Sequence, residues 1–391
     1  RQGETVDAWS EGCFATLEAF FLWMVEYGDG GTSEEEKGTV IIRGTHNLGS
    51  TLEIPTNHLQ FIGDGEAVIT SKNLVGTPFL VTMEDKTDIT FRNISFLCGQ
   101  NGTNGVSLTG ASGCTEIVFE QCSFDAGGNA FDKCVEMTTS IHREILFRDC
   151  TFDSAPVGHG IHSVSGVGTI SQYGLMVQGC TFNGGGAGTN NWAIELETSA
   201  AYVHIQDSTV NAHKEGFRFF GGGDVRVEGC RIRDCNVGIL FDQQTRAWVT
   251  DNRITLDDTV GTNGIYFTAC THSTIRGNYI EQPRDGVQGS GIHHAGGSTA
   301  APVPVDISGN SVIGFNFPSA LSAAIFVKGA SHTFAQYSIT DNFVDDGVIA
   351  ARNTKSGVIS GNTVLAKSTT ADMIRIDGGA KVVVSSNVLN G

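Results

Sequence analysis

The chain has 391 residues, of which 51 are glycine, 7 are proline and 17% are charged. This composition suits many short strands joined by tight turns and excludes disordered and collagen-like chains. The formal net charge of −18 at pH 7 repels phosphate backbones and anionic headgroups, so we expect no nucleic acid and no membrane surface as a partner. The ten cysteines include no CxxC pair, which indicates buried thiols rather than a metal site.

The N-terminal segment, residues 1–38, contains a helical pattern at about residues 14–27. Its most apolar stretch, from Phe14 to Val25, is interrupted by Glu18 and is shorter than the roughly 20 residues that span a membrane. We therefore predict no membrane insertion. An amphipathic helix at this place suits the covering of an open solenoid end. No charged-then-apolar signal pattern opens the sequence, so the compartment cannot be derived from it.

A repeat fills residues 39–391, which we interpret as one solenoid domain. TVIIRG (39–44) and LQFIGDG (59–65) form the first predicted coil. An apolar alternation, a small or polar residue and an apolar pair then recur at intervals of 20 to 32 residues, which predicts about a dozen coils. The copies are TFRNISF (90–96), IVFEQCSF (117–124), ILFRDCTF (145–152), LMVQGCTF (175–182), VHIQDSTV (203–210), VRVEGCRI (225–232), WVTDNRI (248–254), TIRGNYI (274–280), DISGNSV (306–312), SITDNFV (338–344), VISGNTV (358–364) and VVSSNVL (383–389).

One position of this motif changes its residue type along the chain. It holds cysteine or serine at 122, 150, 180, 208 and 230, and asparagine at 252, 278, 310, 342, 362 and 387. Stacked coils would align these residues, so we expect an asparagine ladder whose amides bond between coils. Cysteine in the same column acts as a small buried hydrophobe. Disulfides between Cys122 and Cys150, or between Cys150 and Cys180, remain an alternative because neighbouring coils lie within disulfide reach.

A second strand recurs between the motif copies, usually led by a small residue. Its alternation has a period of two and predicts one inward residue per coil. The inward residues are Val106, Val135, Ile161, Ile194, Phe217, Ile239, Ile265, Ile292, Ile325 and Ile374.

The segments FATLEAFF and GTVIIRGTHNLGSTLEIPTNHLQFIGDG, together with the repeated coils, resemble pectate-lyase-like β-helix proteins. That superfamily includes phage tailspikes, polysaccharide lyases and polygalacturonase-like hydrolases. The resemblance implies an all-β fold, a right-handed single-stranded parallel β-helix, and is specific for fold rather than for reaction. Its tailspike members imply a homotrimer that contacts a cell-surface polysaccharide, located outside the cell or on a virion.

The outward positions of the second strand carry an unusual set of side chains. One column holds Ser107, Glu136, His162, Glu195, Arg218, Leu240, Tyr266, His293 and Phe326, and a parallel column holds Thr109, Thr138, Val164, Glu197, Phe220, Asp242 and Thr268. Residues in one column lie about 4.8 Å apart on consecutive coils, so Glu195 should lie near His162 and Arg218. A surface ion-pair ladder is the alternative interpretation.

These columns predict where catalysis would occur. Glu197 and Asp242 should lie about 9.6 Å apart, two coils away from each other, near the upper limit for the acid and base of an inverting glycosidase. A lyase would instead need a base and a cation beside a uronate, roles open to Arg218, His162 and Tyr266. The predicted catalytic residues are Glu195, Glu197, Asp242, Arg218 and His162.

Aromatic and polar neighbours of these residues are predicted to hold the sugar rings. The predicted substrate-binding residues are Glu136, Tyr266, His293, Trp192, Phe220 and Phe326. We predict no cofactor. Glu195 and Glu197 could hold Ca²⁺, but two carboxylates are too few for a site built by the protein alone.

We interpret the sequence as a polysaccharide-binding and polysaccharide-cleaving β-helix of the tailspike type, either a hydrolase or a lyase. Two alternatives stay open. One is a non-enzymatic receptor-binding spike or adhesin, and the other is a free secreted polysaccharide lyase.

Overall fold

The alternating apolar pattern of the sequence forms parallel strands in the computed structural model. The structure describes residue 17 and residues 38–71, 79–99, 103–125, 131–138, 141–153, 158–164, 172–185, 191–197, 200–258, 262–283, 289–296, 303–315, 323–329, 335–365, 373–378 and 381–391. The chain divides into two units, Arg1–Asn183 and Gly184–Gly391. No helix within the described residues is long and apolar enough to cross a membrane.

The described strands of the first unit are short and separated by tight bends. They are β1 Gly38–Leu48, β2 Leu52–Glu53, β3 Leu59–Ser71, β4 Phe79–Glu84, β5 Thr87–Arg92, β6 Ser95–Leu97, β7 Asn104–Thr109, β8 Thr115–Glu120, β9 Ser123–Asp125, β10 Lys133–Met137, β11 Arg143–Arg148, β12 Thr151–Asp153, β13 His159–Ser163, β14 Gln172–Gln178 and β15 Thr181–Asn183.

The second unit continues the numbering. Its described strands are β16 Trp192–Leu196, β17 Ala200–Gln206, β18 Thr209–Asn211, β19 Glu215–Glu228, β20 Arg231–Cys235, β21 Val237–Thr250, β22 Arg253–Leu256, β23 Asn263–Thr268, β24 His272–Arg276, β25 Tyr279–Glu281, β26 Ser290–Ala295, β27 Val303–Ser308, β28 Ser311–Ile313, β29 Ile325–Lys328, β30 Ala335–Thr340, β31 Phe343–Asp345, β32 Ile349–Arg352, β33 Ser356–Ser360, β34 Thr363–Leu365, β35 Ile374–Asp377, β36 Lys381–Ser385 and β37 Val388–Asn390.

Strands pair with the equivalent strand of the neighbouring coil, always in parallel. This pairing gives each unit three faces. In the second unit the first face contains β17, the end of β19, the end of β21, β24, β27, β30, β33 and β36. The second face contains β18, β20, β22, β25, β28, β31, β34 and β37. The third face contains β16, the starts of β19 and β21, β23, β26, β29, β32 and β35.

The first unit has the same three faces. Its third face consists of β2, β4, β7, β10 and β13. Its first face contains the starts of β1 and β3 with β5, β8, β11 and β14, and its second face contains the ends of β1 and β3 with β6, β9, β12 and β15.

Stacked side chains fill the interior of each unit. In the first unit Phe61, Phe91, Phe119 and Phe147 stack along the first face with ring centroids 4.8 to 5.2 Å apart. The inward residues predicted from the second strand are fully buried from Val106 to Ile325, which confirms the period of two. Ile374 is half-buried, so the prediction is only partly met at that coil.

The predicted asparagine ladder is present in the second unit. Asn252, Asn278, Asn310, Asn342 and Asn362 each donate from Nδ2 to the Oδ1 of the next asparagine at 2.9 to 3.0 Å. The backbone N–H of each also donates to that Oδ1 at 3.0 Å. Each buried side-chain amide thereby provides hydrogen-bond partners for backbone groups at the bend of its own coil and at that of the neighbouring coil.

The residue before this column adopts a left-handed conformation. Aspartate and glycine often alternate there on successive coils, with φ between 50° and 69°, in the pairs Asp149 and Gly179, Asp207 and Gly229, Asp251 and Gly277, and Asp341 and Gly361. A Cβ atom on any of these glycines would lie only 2.2 to 2.5 Å from the aspartate Oδ1. A side chain in place of glycine would therefore have to displace the aspartate side chain of the neighbouring coil, whereas the aspartates themselves show that this φ tolerates a side chain.

Three predictions about the fold need correction or stay open. The number of about a dozen coils stays a prediction; among the described residues the third face has five strands in the first unit and eight in the second. The capping helix predicted at about 14–27 lies outside the described residues except for Leu17, which is buried. The nine described cysteines are buried and form no disulfide with one another, so the alternative of Cys122–Cys150 and Cys150–Cys180 disulfides is wrong.

Candidate functional site

The third face of the second unit gathers most of the predicted catalytic residues. Its strands begin with one outward residue, followed by a small residue and an inward residue, so that the next outward side chain comes three positions later. Trp192 and Glu195 on β16 occupy these two positions, and Glu215 and Arg218 on β19 lie beside them in register. Four polar or aromatic side chains therefore meet on two adjacent coils.

Glu195 and Arg218 form the central ion pair of this face. Arg218 Nη1 donates to Glu195 Oε1 at 2.8 Å. The Glu195 side chain is only 3% exposed, whereas that of Arg218 is 34% exposed. This pair agrees with the predicted proximity of the two residues, but Glu195 lies too deep for direct contact with solvent.

Trp192 is enclosed by charged side chains. Its Nε1–H donates to Glu215 Oε2 at 2.9 Å, and Arg218 Nε lies 4.0 Å from the same oxygen. Lys214 Nζ and Arg218 Cζ lie 5.4 and 5.8 Å from the indole centroid, within cation–π range. The indole is half-buried, and these contacts restrict its orientation.

Asp242 and Glu197 provide two carboxyl groups that are only partly buried. Phe220 pairs with Asp242, and Leu196 pairs with Phe219, so Glu197 and Asp242 lie two coil steps apart. Burial raises the pKa of Asp242 above its ordinary value, and the positive charge of Arg218 offsets part of that rise. A carboxyl group with a raised pKa stays protonated at higher pH and can serve as a general acid.

Tyr266, His293 and Phe326 continue the column on the following coils. The Tyr266 and His293 ring centroids are 4.8 Å apart, and those of His293 and Phe326 are 4.9 Å apart. Burial, with a smaller contribution from Lys328, lowers the pKa of His293 to about 4. Phe326 is buried, so stacking within the column, rather than exposure to a ligand, accounts for its contacts.

The first unit contains the remaining predicted residues, Glu136 and His162, on adjacent strands in register. Glu136 forms an ion pair with Lys133, and His162 Nδ1 lies 3.7 Å from Glu136 Oε1. Burial alone would raise the pKa of Glu136, but hydrogen bonds from His162 and Lys133 lower it overall. The His159 and His162 rings lie 4.8 Å apart.

The structure corrects the expectation that the outward column faces open solvent. Glu136, His162, Glu195 and Phe326 are all less than 9% exposed, because side chains in one column stack against their neighbours on adjacent coils. Ion pairs do join some of these residues, so the ion-pair ladder stays an alternative interpretation, with its carboxylates buried rather than exposed. The half-buried members are Arg218, Tyr266 and His293 in this column, and Glu197, Phe220 and Asp242 in the next.

Sequence reasoning assigned no site role to Glu215, Lys214, Lys133 and His159. Glu215, Lys133 and His159 are the first residue of their third-face strands, and Lys214 precedes β19. Two consecutive inward residues follow each of the three, as Gly216 and Phe217 do after Glu215, so simple alternation assigns them no outward role. The available signal in the sequence was the small residue that follows each of the three, namely Gly216, Cys134 and Gly160. A Cβ at Gly216 would lie 2.4 Å from a carbonyl oxygen of the next coil.

Comparisons with known proteins address the fold. Residues 165–316 match the family described as a right-handed β-helix region. No curated protein shows significant sequence similarity to the chain. Tailspike protein 3 of bacteriophage CBA120 is 11% identical in its solved structure, with a TM-score of 0.56, and the match covers 91% of this chain and 61% of that one. A PL6 alginate lyase in complex with a trisaccharide is 11% identical in its solved structure, with a TM-score of 0.51. The match covers 96% of this chain and 84% of that one.

These similarities confirm the resemblance to right-handed parallel β-helix proteins that the repeat predicts. At 11% identity they establish the fold alone. This chain spans 61% of the length of the tailspike protein chain.

Proposed function

We propose that the chain is a glycan depolymerase of the tailspike type, which binds a polysaccharide along the third face of the second unit and cleaves it. The observation that carries this proposal is the half-buried Asp242 carboxyl group, whose burial raises its pKa, on the same face as the Arg218 cation and the Glu197 carboxyl group. Carboxyl groups in unlike environments are the usual basis for dividing acid and base roles.

Hydrolysis assigns one proton transfer to each carboxyl group. Asp242 gives its proton to the glycosidic oxygen as the bond to the anomeric carbon breaks. Glu197 takes a proton from the water whose oxygen forms the new bond to that carbon. Two coil steps, about 9.6 Å, leave room for this water, as in inverting glycosidases.

The other residues of the face position the substrate. Trp192, Phe220 and Tyr266 are half-buried and offer ring faces to sugars. Arg218 is held by Glu195 and directs its remaining N–H groups to the substrate, which is useful if that substrate carries carboxylates. In a lyase, this same cation would neutralise a uronate while a base removes the α-proton. The proposed reaction requires no metal ion.

A second candidate function is a non-enzymatic spike or adhesin that only grips sugar. The burial of Glu136, Glu195 and Phe326 favours it, because side chains removed from solvent serve packing more readily than chemistry. For either function the tailspike resemblance supports a homotrimer and a location outside the cell or on a virion. A free secreted lyase would be monomeric.

The test is reducing-end release from a panel of neutral and acidic polysaccharides. The variants are Asp242→Asn and Glu197→Gln, with Asp306→Asn as the matched control because Asp306 is exposed on the first face. We expect each site variant to lose activity by about 10²-fold or more, and the control to retain it. New ultraviolet absorbance from an unsaturated sugar end would assign a lyase.

Two outcomes contradict cleavage at this face. One is full activity in both site variants. The other is binding of a glycan without release of reducing ends from any polymer, which would leave the adhesin. Sedimentation equilibrium separates a trimeric spike from a monomeric lyase.

A further inference from the structure

Exposed arginines gather on the first and second faces of the second unit. Arg231 on β20 pairs directly with Arg253 on β22, which places their backbones about 4.8 Å apart. Like charges opposite each other in a sheet are destabilising. Arg226 at the end of β19 and Arg276 at the end of β24 are exposed on the adjoining face. We call these four residues the arginine surface.

The arginine surface is not neutralised within the part of the chain that the structure describes. None of its four residues forms an ion pair there, although the chain has 42 acidic and only 24 basic residues. Nearby arginines do find partners. Arg246 Nη2 donates to Asp224 Oδ2 at 2.9 Å, and Arg233 Nη2 donates to Asn211 Oδ1 at 3.2 Å.

Two carboxylates on the same coils contact other groups. Glu228 Oε2 lies 3.6 Å from His204 Nε2. Glu281 Oε2 accepts a hydrogen bond from the Tyr279 hydroxyl at 3.2 Å. The positive charge of the arginine surface therefore remains available to an external anion.

Aromatic rings hold two of the guanidinium groups in place. Arg226 Cζ lies 4.9 Å from the Trp248 ring centroid, and Arg253 Cζ lies 4.8 Å from that of Tyr279. A guanidinium stacked in this way keeps in-plane N–H groups for two-point binding of a carboxylate or sulfate. Because the cation is already ordered, less conformational entropy is lost on binding.

We infer that the arginine surface is a binding site for an anionic polysaccharide, which it recognises through carboxylate or sulfate groups. The coil spacing of about 4.8 Å is comparable to the rise of one sugar along an extended glycan, so successive acidic groups can meet successive coils. The site lies on the first and second faces, whereas the proposed cleavage uses the third. Binding here does not require that cleavage.

The test is calorimetric titration of the full chain carrying Asp242→Asn, so that the probes stay intact. The probes are oligogalacturonate, alginate and heparin-derived oligosaccharides, a neutral dextran oligosaccharide and a single-stranded DNA oligonucleotide. The double variant Arg231→Glu/Arg253→Glu is compared with Lys355→Glu/Lys381→Glu. The control pair has the same charge change, on two exposed lysines of adjacent coils. Thermal unfolding checks that both variants fold, and Arg231→Gln/Arg253→Gln repeats the test without added negative charge.

We expect at least one acidic oligosaccharide to bind, in a manner weakened by salt, and the arginine variants to weaken it about tenfold or more. The lysine control should change affinity by less than about threefold, as expected for screened charges. The inference is overturned if no acidic oligosaccharide binds, if both double variants weaken binding equally, or if DNA binds as tightly as the glycan. Reducing-end release from the parent chain is measured separately. Cleavage without binding of an acidic oligosaccharide to the arginine surface refutes only this inference. Binding without cleavage refutes only the proposed reaction.

Discussion

Arg218 on β19 donates to Glu195 on β16 at 2.8 Å, from one coil to the next on the third face. The carboxylate is almost fully buried and the guanidinium is one-third exposed. The charge of the buried Glu195 carboxylate is therefore compensated by Arg218, whereas the Arg218 guanidinium is exposed enough to contact the proposed substrate.

We predict that Arg218→Met destabilises the protein by about 3 kcal/mol, because it leaves a buried carboxylate without its counter-ion. The double variant Glu195→Gln/Arg218→Met should recover most of that loss, since it removes the buried charge as well. Urea unfolding of the two variants and of the parent measures the difference. A single variant that costs less than about 1 kcal/mol would mean that the pair behaves as an exposed surface ion pair.

Arg218 also sets the pH response predicted for Asp242. Burial raises the pKa of Asp242 and Arg218 lowers it, so Arg218→Met should raise that pKa further. If Asp242 is the general acid, activity is lost as pH rises through its pKa. The alkaline limb of the kcat/KM profile should therefore move to higher pH in the variant, and stay in place in Arg246→Met, which alters an exposed arginine elsewhere. Movement of the acidic limb instead would assign Asp242 the role of base.

Buried histidines should make the second unit sensitive to acid. Burial, with a smaller contribution from His293, lowers the pKa of His294 to about 4, below the value of about 6.5 expected in the unfolded chain. The unfolded state then binds more protons between these two values, so stability is full above about pH 6.5 and falls as pH drops towards 4.

His294 can be tested by continuing an existing aromatic stack. Its ring lies 5.5 Å from that of Phe267, at the end of a column that includes Phe219 and Phe241. His294→Phe should therefore fold and should lose less stability between pH 6.5 and 4 than the parent does. His272→Phe, at an exposed histidine, serves as the control. Equal acid sensitivity in all three proteins would show that other groups, such as the buried His213, govern the response.

The sequence predicts the inward half of this fold well because period and burial are linked directly. Alternation alone predicts that Val106 and Ile325 point inward, and both are fully buried. The pattern fails to locate Glu215, because Gly216 and Phe217 both point inward and shift the phase of the strand.

The chemistry of the third face depends on contacts between neighbouring coils, which the residue pattern of a single strand does not show. The pairing of Glu195 with Arg218 follows from column register and was predicted. The depth of Glu195 was not predicted, since it depends on how neighbouring coils cover the side chain. The raised pKa of Asp242 likewise arises from its three-dimensional surroundings, whereas its sequence neighbours indicate only that it follows an inward phenylalanine.

The buried thiols should be chemically inert in the folded protein. Burial raises the pKa of Cys230, Cys235 and Cys270 to about 12 each, and the thiolate is the reactive form. All nine described thiols are buried, so a Cys13→Ser variant should show no reaction with Ellman's reagent under native conditions and nine reactive thiols in denaturant. Rapid reaction of any thiol in the native state would contradict the buried column.

Asn310, in the middle of the asparagine ladder, should contribute more to stability than any exposed polar residue of its face. It accepts hydrogen bonds from the backbone N–H and Nδ2 of Asn278 and donates to Asn342 and to the carbonyl of Ile275. Asn310→Leu removes the hydrogen-bond partners of buried donors and acceptors on both neighbouring coils. Each buried group left unsatisfied costs about 1–3 kcal/mol. We expect a loss of about 3–4 kcal/mol for Asn310→Leu.

Asn310→Ser should cost less, because a serine already occupies this column at Ser208, where its Oγ donates to the carbonyl of Gln206 at 2.9 Å. Gln336→Leu, at an exposed position of the first face, is the control and should change stability by no more than about 0.5 kcal/mol. Urea unfolding gives all three values. If Asn310→Leu proved no more costly than the control, the ladder would be a consequence of the coil stacking rather than one of its causes.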